Sequence, residues 1–135
     1  LTIDKKNGKI NLDLRASDSK LYCDKLQFSN AISNLIDNAV KYNENVPEIK
    51  ISTMNSNSTF EILIEDNGIG MDKKYHSKIF DTFYRIPTGN IHNVKGNGIG
   101  LSTVKKIIEA HLGKIFIESE KNKGSKFIIH LPKIY

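Results

Sequence analysis

In Asn34-Leu35-Ile36-Asp37-Asn38-Ala39-Val40-Lys41-Tyr42, two amides, a cation and an aromatic ring share a stretch that must also supply a core. On a helical wheel starting at Asp24, Phe28, Ala31, Ile32, Leu35, Ile36, Ala39 and Val40 fill one broad arc, the spacing of an amphipathic helix with that face buried. Asn34, Asn38 and Lys41 fall in a narrow stripe on the other side, because residues three and four apart are neighbours on a helix. Asn is a poor helix former, since its amide competes for nearby backbone groups. Its recurrence at 30, 34 and 38 runs against local preference, so these residues are held there by something other than helix formation. For this helix alone, a solvated polar face explains the stripe equally well.

Outward from that helix, the chain has the length of one domain with a sizeable core. With 135 residues, 39% hydrophobic and 26% charged, it has the make-up of a water-soluble globular protein. No apolar run reaches bilayer-spanning length and no signal-peptide pattern opens the sequence. A start at Leu1 rather than Met reads as a segment of a longer protein. The single cysteine, Cys23, has no internal disulfide partner and no second thiol for a zinc motif, which fits a cytoplasmic setting. The net charge of +5 invites a nucleic-acid partner, but it is spread along the chain instead of gathered in a stripe, and phosphate on a small ligand would use it equally well.

Residues 1–9 read as a tail or linker remnant and 10–135 as the domain. Ile10, Leu12 and Leu14 alternate with polar residues as in a half-buried strand. Asp24 is a plausible N-cap for the long helix, which should end near Tyr42 to Asn45, before Pro47. Ile49, Ile51 and Thr53, then Phe60, Ile62 and Ile64, predict a hairpin turning at 56–58. It ends in Asp66-Asn67-Gly68-Ile69-Gly70-Met71, where two glycines let the backbone turn tightly or approach a ligand, although a plain turn after a strand would look the same. Asp72 to Ile79 fits a short helix capped by Asp72, followed by Phe80-Asp81-Thr82-Phe83-Tyr84-Arg85. Ile86 to Lys95 forms no convincing helix or strand and reads as a lid, or as plain disorder. Gly96-Asn97-Gly98-Ile99-Gly100-Leu101 opens an amphipathic helix through His111. Free backbone N–H groups at such a start suit phosphate, though no Gly-Lys-Ser/Thr makes it a P-loop and Leu101 replaces the third glycine of a dinucleotide motif. Lys114–Glu118 and Lys126–Leu131 make a closing hairpin. Together these elements describe an α+β, two-layer sandwich: a mixed, mostly antiparallel sheet with helices on one face and the other face partly exposed.

Taken in order, these segments resemble the ATP-binding catalytic domain of bacterial sensor histidine kinases, within the superfamily of gyrase, heat-shock chaperone, histidine kinase and mismatch-repair ATPases. Asn34–Tyr42 is similar to the family's N box, Asp66–Gly70 to its first glycine box, Phe80–Arg85 to its F box and Gly96–Leu101 to its second glycine box. Lys123-Gly124-Ser125-Lys126-Phe127 resembles its last turn. The resemblance implies ATP and Mg²⁺ as cofactors. Asn38 would be the metal ligand through its amide oxygen, Lys41 a phosphate contact, and Tyr42 and Tyr84 would line the nucleotide site. Asp66 would accept from the adenine amino group, which guanine lacks at that position; Gly68 and Gly70 would let the base approach; Ser125 would help hold it. Gly96, Gly98, Gly100 and Leu101 would offer N–H groups to phosphates. Arg85 and Lys95 would meet charge on the transferred phosphoryl group. Asn34 stands where hydrolysing relatives carry a general-base Glu, which argues for transfer to a better nucleophile than water.

Two departures stand out: Ile99 replaces a usual Leu, and Leu112 replaces the first of two glycines, leaving Gly113 as the only C-cap. The phosphoacceptor is missing, because His76, His92, His111 and His130 lie in no segment like the family's reactive one and read as structural or solvent-facing. The implied partners are therefore a histidine-bearing dimerisation domain of a homodimeric parent, open to membrane anchoring, and a downstream response regulator. The competing functions are an ATP-hydrolysing conformational switch and a nucleotide-binding module without kinase activity.

Overall fold

The computed structural model describes residues 7–16, 23–56, 58–82, 84 and 99–133. The elements are β1 (Lys9–Leu14), α1 (Lys25–Lys41), β2 (Glu48–Ser56), β3 (Thr59–Asp66), a 3-10 turn (Lys73–Tyr75), α2 (Ile99–Ala110), β4 (Lys114–Glu120) and β5 (Gly124–Pro132). One five-stranded sheet runs in the order β1-β2-β3-β5-β4, with β1 parallel to β2 and every other pair antiparallel. The mixed sheet and helical layer are those expected, with β4 and β5 each extending beyond the predicted strand.

Register explains which face is buried. Leu12, Ile51, Ile64, Phe127 and Ile117 are directly paired across all five strands, so their side chains share one face. Four of them join Ala31, Leu35, Ala39 and Val40 of α1 and Val104 and Ile108 of α2 in the packed cluster: Ile64 and Phe127 buried, and Ile51 and Ile117 partly so. Full burial of a side chain such as Leu35, Ile64, Ile108 or Ile129 is worth about 1.5–3 kcal/mol. Leu12 departs from the half-buried strand expected of β1: it is 63% exposed and stands outside the cluster, because β1 is an edge strand beyond the residues the helices cover. The opposite face carries Ser52-Leu63-Ile128-Phe116 as one row and the alternating charges Lys50-Glu65-Lys126-Glu118 as the next. It is partly exposed: Phe116 is 45% exposed, whereas Ser52 and Leu63 are buried.

The ends of α1 follow local chemistry. The Asp24 carboxylate accepts from the Gln27 N–H at 3.0 Å, a satisfied N-cap, and the Tyr42 N–H donates to the Asn38 carbonyl at the C-cap. The Asp24 N–H donates to Nε2 of His111 at 2.9 Å, and Nδ1 of His111 meets the Ile107 carbonyl at 2.7 Å. A carbonyl only accepts, so the hydrogen sits on Nδ1 and the ring bridges the start of α1 to the end of α2. His111 is structural, as the sequence suggested.

Two local expectations fail. Asp72 makes no side-chain cap, and only the 3-10 turn Lys73–Tyr75 forms where a short helix was expected; a helix so brief gains too little from propagation to need one. Gly113 is not the left-handed residue ending α2. Leu112 adopts φ 63°, with its N–H on the Glu109 carbonyl and the Gly113 N–H on the Ile108 carbonyl, a Schellman ending. Gly113 serves close packing instead, since a Cβ there would lie 2.6 Å from the His130 carbonyl oxygen. Leu112 is 75% exposed, so its left-handed backbone costs more than its burial returns. Leu112→Gly should therefore stabilise the fold by about 1 kcal/mol in urea-induced unfolding; an unchanged or lower midpoint would contradict the strain.

Candidate functional site

Three segments converge where α1 ends: the last turns of the helix, the loop 66–71, and the β4–β5 hairpin. The Ile69 N–H donates to the Tyr42 carbonyl at 2.9 Å, and the Ile69 carbonyl accepts from the Asn122 N–H at 2.7 Å. The loop is thus strung between helix and hairpin. Gly68 packs so close to the helix end that a Cβ there would lie 2.6 Å from the Tyr42 carbonyl oxygen. Gly70 (φ 64°) and Gly124 (φ 89°) each occupy left-handed backbone, and a Cβ on either would fall inside a carbonyl of the other segment, that of Glu120 or that of Asp66.

Asp66 ends β3 at the centre of this junction. Its Oδ1 accepts from the Gly68 N–H at 2.8 Å and the Ser125 N–H at 3.2 Å, while Oδ2 takes no hydrogen bond from another described residue. Burial pushes its pKa above the ordinary carboxylate value, against the lowering by the Gly68 and Ser125 hydrogen bonds. A desolvated carboxylate with one open oxygen and no cation paired to it among the described residues is an acceptor in want of a donor.

Asn34 and Asn38 are half-buried on α1, one turn apart, with Lys41 exposed in the last turn and Tyr42 half-buried at the cap. The Asn38 amide makes no hydrogen bond to another described residue, leaving its oxygen available to a hard cation such as Mg²⁺. Gly100 and Leu101 lie in the first turn of α2, where N–H groups lack intrahelical partners; a Cβ on Gly100 would meet nothing within 4 Å. The His111–Asp24 contact sets the end of α2 against the start of α1, and the helices pack on one another, so α2 begins on the side where α1 ends. The Leu101 side chain itself packs against the core. Tyr84 is half-buried, with its N–H on the Asp81 carbonyl, and Phe80 meets Phe127 edge-on at 6.3 Å. Arg85, Lys95, Gly96, Gly98, His92 and the stretch 86–95 read as a lid lie outside the described residues.

Residues 23–134 match the family of histidine kinase-, DNA gyrase B- and HSP90-like ATPases. The chain belongs to that family. Sensor protein RprX of Bacteroides fragilis is 48% identical over 136 residues, covering 98% of this chain and 26% of that protein. The chain thus spans about a quarter of that relative's length. The nucleotide-free catalytic domain of histidine kinase ThkA superposes with a TM-score of 0.75 at 28% identity, over 97% of this chain and 82% of that one. ThkA in complex with response regulator protein TrrA gives a TM-score of 0.78 at 26% identity, over 98% and 36%. This ATPase-family chain is a catalytic domain of the sensor-histidine-kinase kind.

Three residues of the ATPase domain escaped the sequence reading. The Asn67 Oδ1 accepts from Asn43 Nδ2 at 2.6 Å and from the Glu48 N–H at 2.8 Å, while its Nδ2 donates to the Val46 carbonyl at 3.1 Å. That amide locks the segment after α1 to the glycine loop. Ser119 Oγ accepts from the Met71 N–H at 2.9 Å and lies 2.7 Å from Ser125 Oγ. The place of Asn67 between Asp66 and Gly68 was a signal for that residue; Asn43, 24 residues away, and Ser119, in an ordinary alternating strand, had none.

The Asp66 shift has a definite sign. With a folded-state pKa above the unfolded one, the ionised group costs stability at neutral pH; the cost is relieved as pH falls through the raised value and vanishes below the ordinary one. Asn can keep the Oδ1 contacts without the charge. Asp66→Asn should melt higher than the wild type at pH 7, with the gap closing as pH drops through the carboxylate range. A variant that melts lower at pH 7 by a pH-independent margin would show that burial of the charge is not the dominant effect.

Proposed function

We propose that this chain holds ATP with Mg²⁺ and presents the γ-phosphoryl group to a histidine on a separate dimerisation domain, as the catalytic part of a protein-histidine kinase. The observation that carries this is Asp66: a buried carboxylate with one oxygen clamped by two backbone N–H groups and the other open, beside the helix end that bears Asn38 and Lys41. Oδ2 would take a hydrogen from the adenine 6-amino group, a donor that guanine does not offer there. Gly68 and Gly70 let the loop close on the Tyr42 and Glu120 carbonyls and so hold Asp66 toward the base, while Ser125 closes the same end and Tyr42 and Tyr84 line the site.

Toward the phosphates, the half-buried Asn38 amide oxygen would serve as a ligand to Mg²⁺, a hard cation that prefers oxygen and would draw its other ligands from water and the substrate phosphates. Bound Mg²⁺ would offset charge on the β- and γ-phosphates. Lys41 would meet phosphate as a point charge, and the first turn of α2, at Gly100 and Leu101, would offer N–H groups. Gly96 and Gly98 would extend that cradle, with Arg85 and Lys95 supplying cations for the group in transfer. Asn34 cannot accept a proton as a carboxylate would, which disfavours activating water and favours a histidine nitrogen as nucleophile. The parent would be a homodimer that passes the phosphoryl group to a response regulator, as the complex of ThkA with one suggests. Among the described residues no helix is long and apolar enough to cross a membrane; we place this domain in the cytoplasm, with any anchor elsewhere in the parent.

Calorimetric titration tests the nucleotide site. ATP should bind in a Mg²⁺-dependent way and at least about tenfold more tightly than GTP, the cost of leaving a buried acceptor unpaired. Asn38→Ala should remove most of the Mg²⁺ dependence while leaving metal-free binding near the wild type. Equal affinity for both nucleotides, or unaltered Mg²⁺ dependence in the variant, would overturn the roles given to Asp66 or Asn38 respectively.

A further inference from the structure

We propose that Ser119 is a positioning residue that fixes the Ser125 hydroxyl as a hydrogen-bond acceptor, so that Asp66 and Ser125 together demand a purine with an amino group at position 6. The inference deepens the nucleotide role proposed above and rests on it. Ser119 is half-buried at the end of β4, paired with Ser125 across the hairpin.

Three groups lie within hydrogen-bond distance of its hydroxyl: the Met71 N–H at 2.9 Å, the Gly124 carbonyl oxygen at 3.1 Å and Ser125 Oγ at 2.7 Å. A hydroxyl has one hydrogen and two lone pairs. The Met71 N–H can only donate and the Gly124 carbonyl can only accept, so all three contacts are hydrogen bonds at once when the single Ser119 hydrogen goes to Gly124. The 2.7 Å contact must then be bridged by the Ser125 hydrogen. With its hydrogen turned toward Ser119, Ser125 has only lone pairs left to offer. Asp66 is in the same condition: Oδ1 is filled by the Gly68 and Ser125 N–H groups, and Oδ2 can only accept while the group is ionised.

That end of the site therefore presents acceptors alone. The 6-amino group of adenine has two hydrogens to give; the 6-oxo group of hypoxanthine has none, and would face two acceptors. The same Ser119 oxygen holds the Met71 N–H, which ties the exit of the glycine loop to the proton arrangement that reads the base.

The probe is inosine triphosphate, which carries a 6-oxo group in place of the 6-amino group of ATP, titrated against the 135-residue chain beside ATP. The wild type should prefer ATP. Ser119→Ala frees the Ser125 hydrogen to turn toward a 6-oxo group, and should narrow the ATP-over-ITP preference by about 3- to 10-fold, one neutral hydrogen bond. Ser119→Thr, which keeps the hydroxyl, should restore it. In a Ser125→Ala background, Ser119→Ala should change the ratio no further. If Ser119→Ala unfolds the chain, Ser119→Thr against Ser119→Val gives the same comparison, a hydroxyl against a methyl. Equal weakening of ATP and ITP by Ser119→Ala, or an undiminished effect once Ser125 is Ala, would overturn the inference while leaving the nucleotide site intact. A wild type that binds neither triphosphate would overturn the nucleotide role itself, and this inference with it.

Discussion

Ile69 holds the domain's two halves in register through its backbone alone. Its N–H reaches the carbonyl at the end of α1 and its carbonyl receives the N–H of Asn122 in the last hairpin, so helix, loop and hairpin meet at one residue. Each such bond nets only about 1 kcal/mol. Their effect is geometric: with Gly70 seated on the Glu120 carbonyl and Gly124 on the Asp66 carbonyl, neither the loop nor the hairpin can shift without driving backbone into backbone. Asp66 inherits its place from that fit, and the charge it carries is tolerated because two N–H groups are already turned toward it.

Burial sets the larger energy and polarity sets the site. The row Ile51-Ile64-Phe127-Ile117 lies under the helices, and the same alternation that buries it brings Asp66, Ser125 and Ser119 to the helix side at one end of the sheet. Polar atoms gathered there cannot be left unpaired, and the network satisfies most of them internally: Asn67 with Asn43, Val46 and Glu48, and Ser119 with Met71, Gly124 and Ser125. Asp66 Oδ2 and the amides of Asn34 and Asn38 have no partner among the described residues. They lie on or beside the second half of α1, where a ligand would complete them.

Much of this was legible before the fold was seen, for reasons that differ by residue. The long helix announced itself because seven apolar positions obey one period, and its amide stripe stood out by violating Asn's own preference. The β2–β3 and β4–β5 hairpins were legible from alternation. Leu112 was not, since nothing in a single sequence says that an apolar residue will take left-handed backbone so that the following glycine can lie against a neighbouring strand. Nor was the exposure of β1, whose Ile10-Leu12-Leu14 pattern is that of a half-buried strand while its position at the sheet edge is decided by pairing. The partners of Asn67 lie 19 to 24 residues away and the Met71 N–H held by Ser119 lies 48 away, and which partner a side chain meets at that range leaves no local mark.

Transfer of the phosphoryl group tests the central claim most directly. The chain would be mixed with γ-labelled ATP, Mg²⁺ and the separately prepared histidine-bearing domain of its parent, and the protein-bound label followed with time. Label should accumulate on that domain in a form lost in acid and retained in base, as a phosphorus–nitrogen bond requires, and only when this chain is present. Steady release of free phosphate with no label on the histidine would contradict the claim and make water the nucleophile.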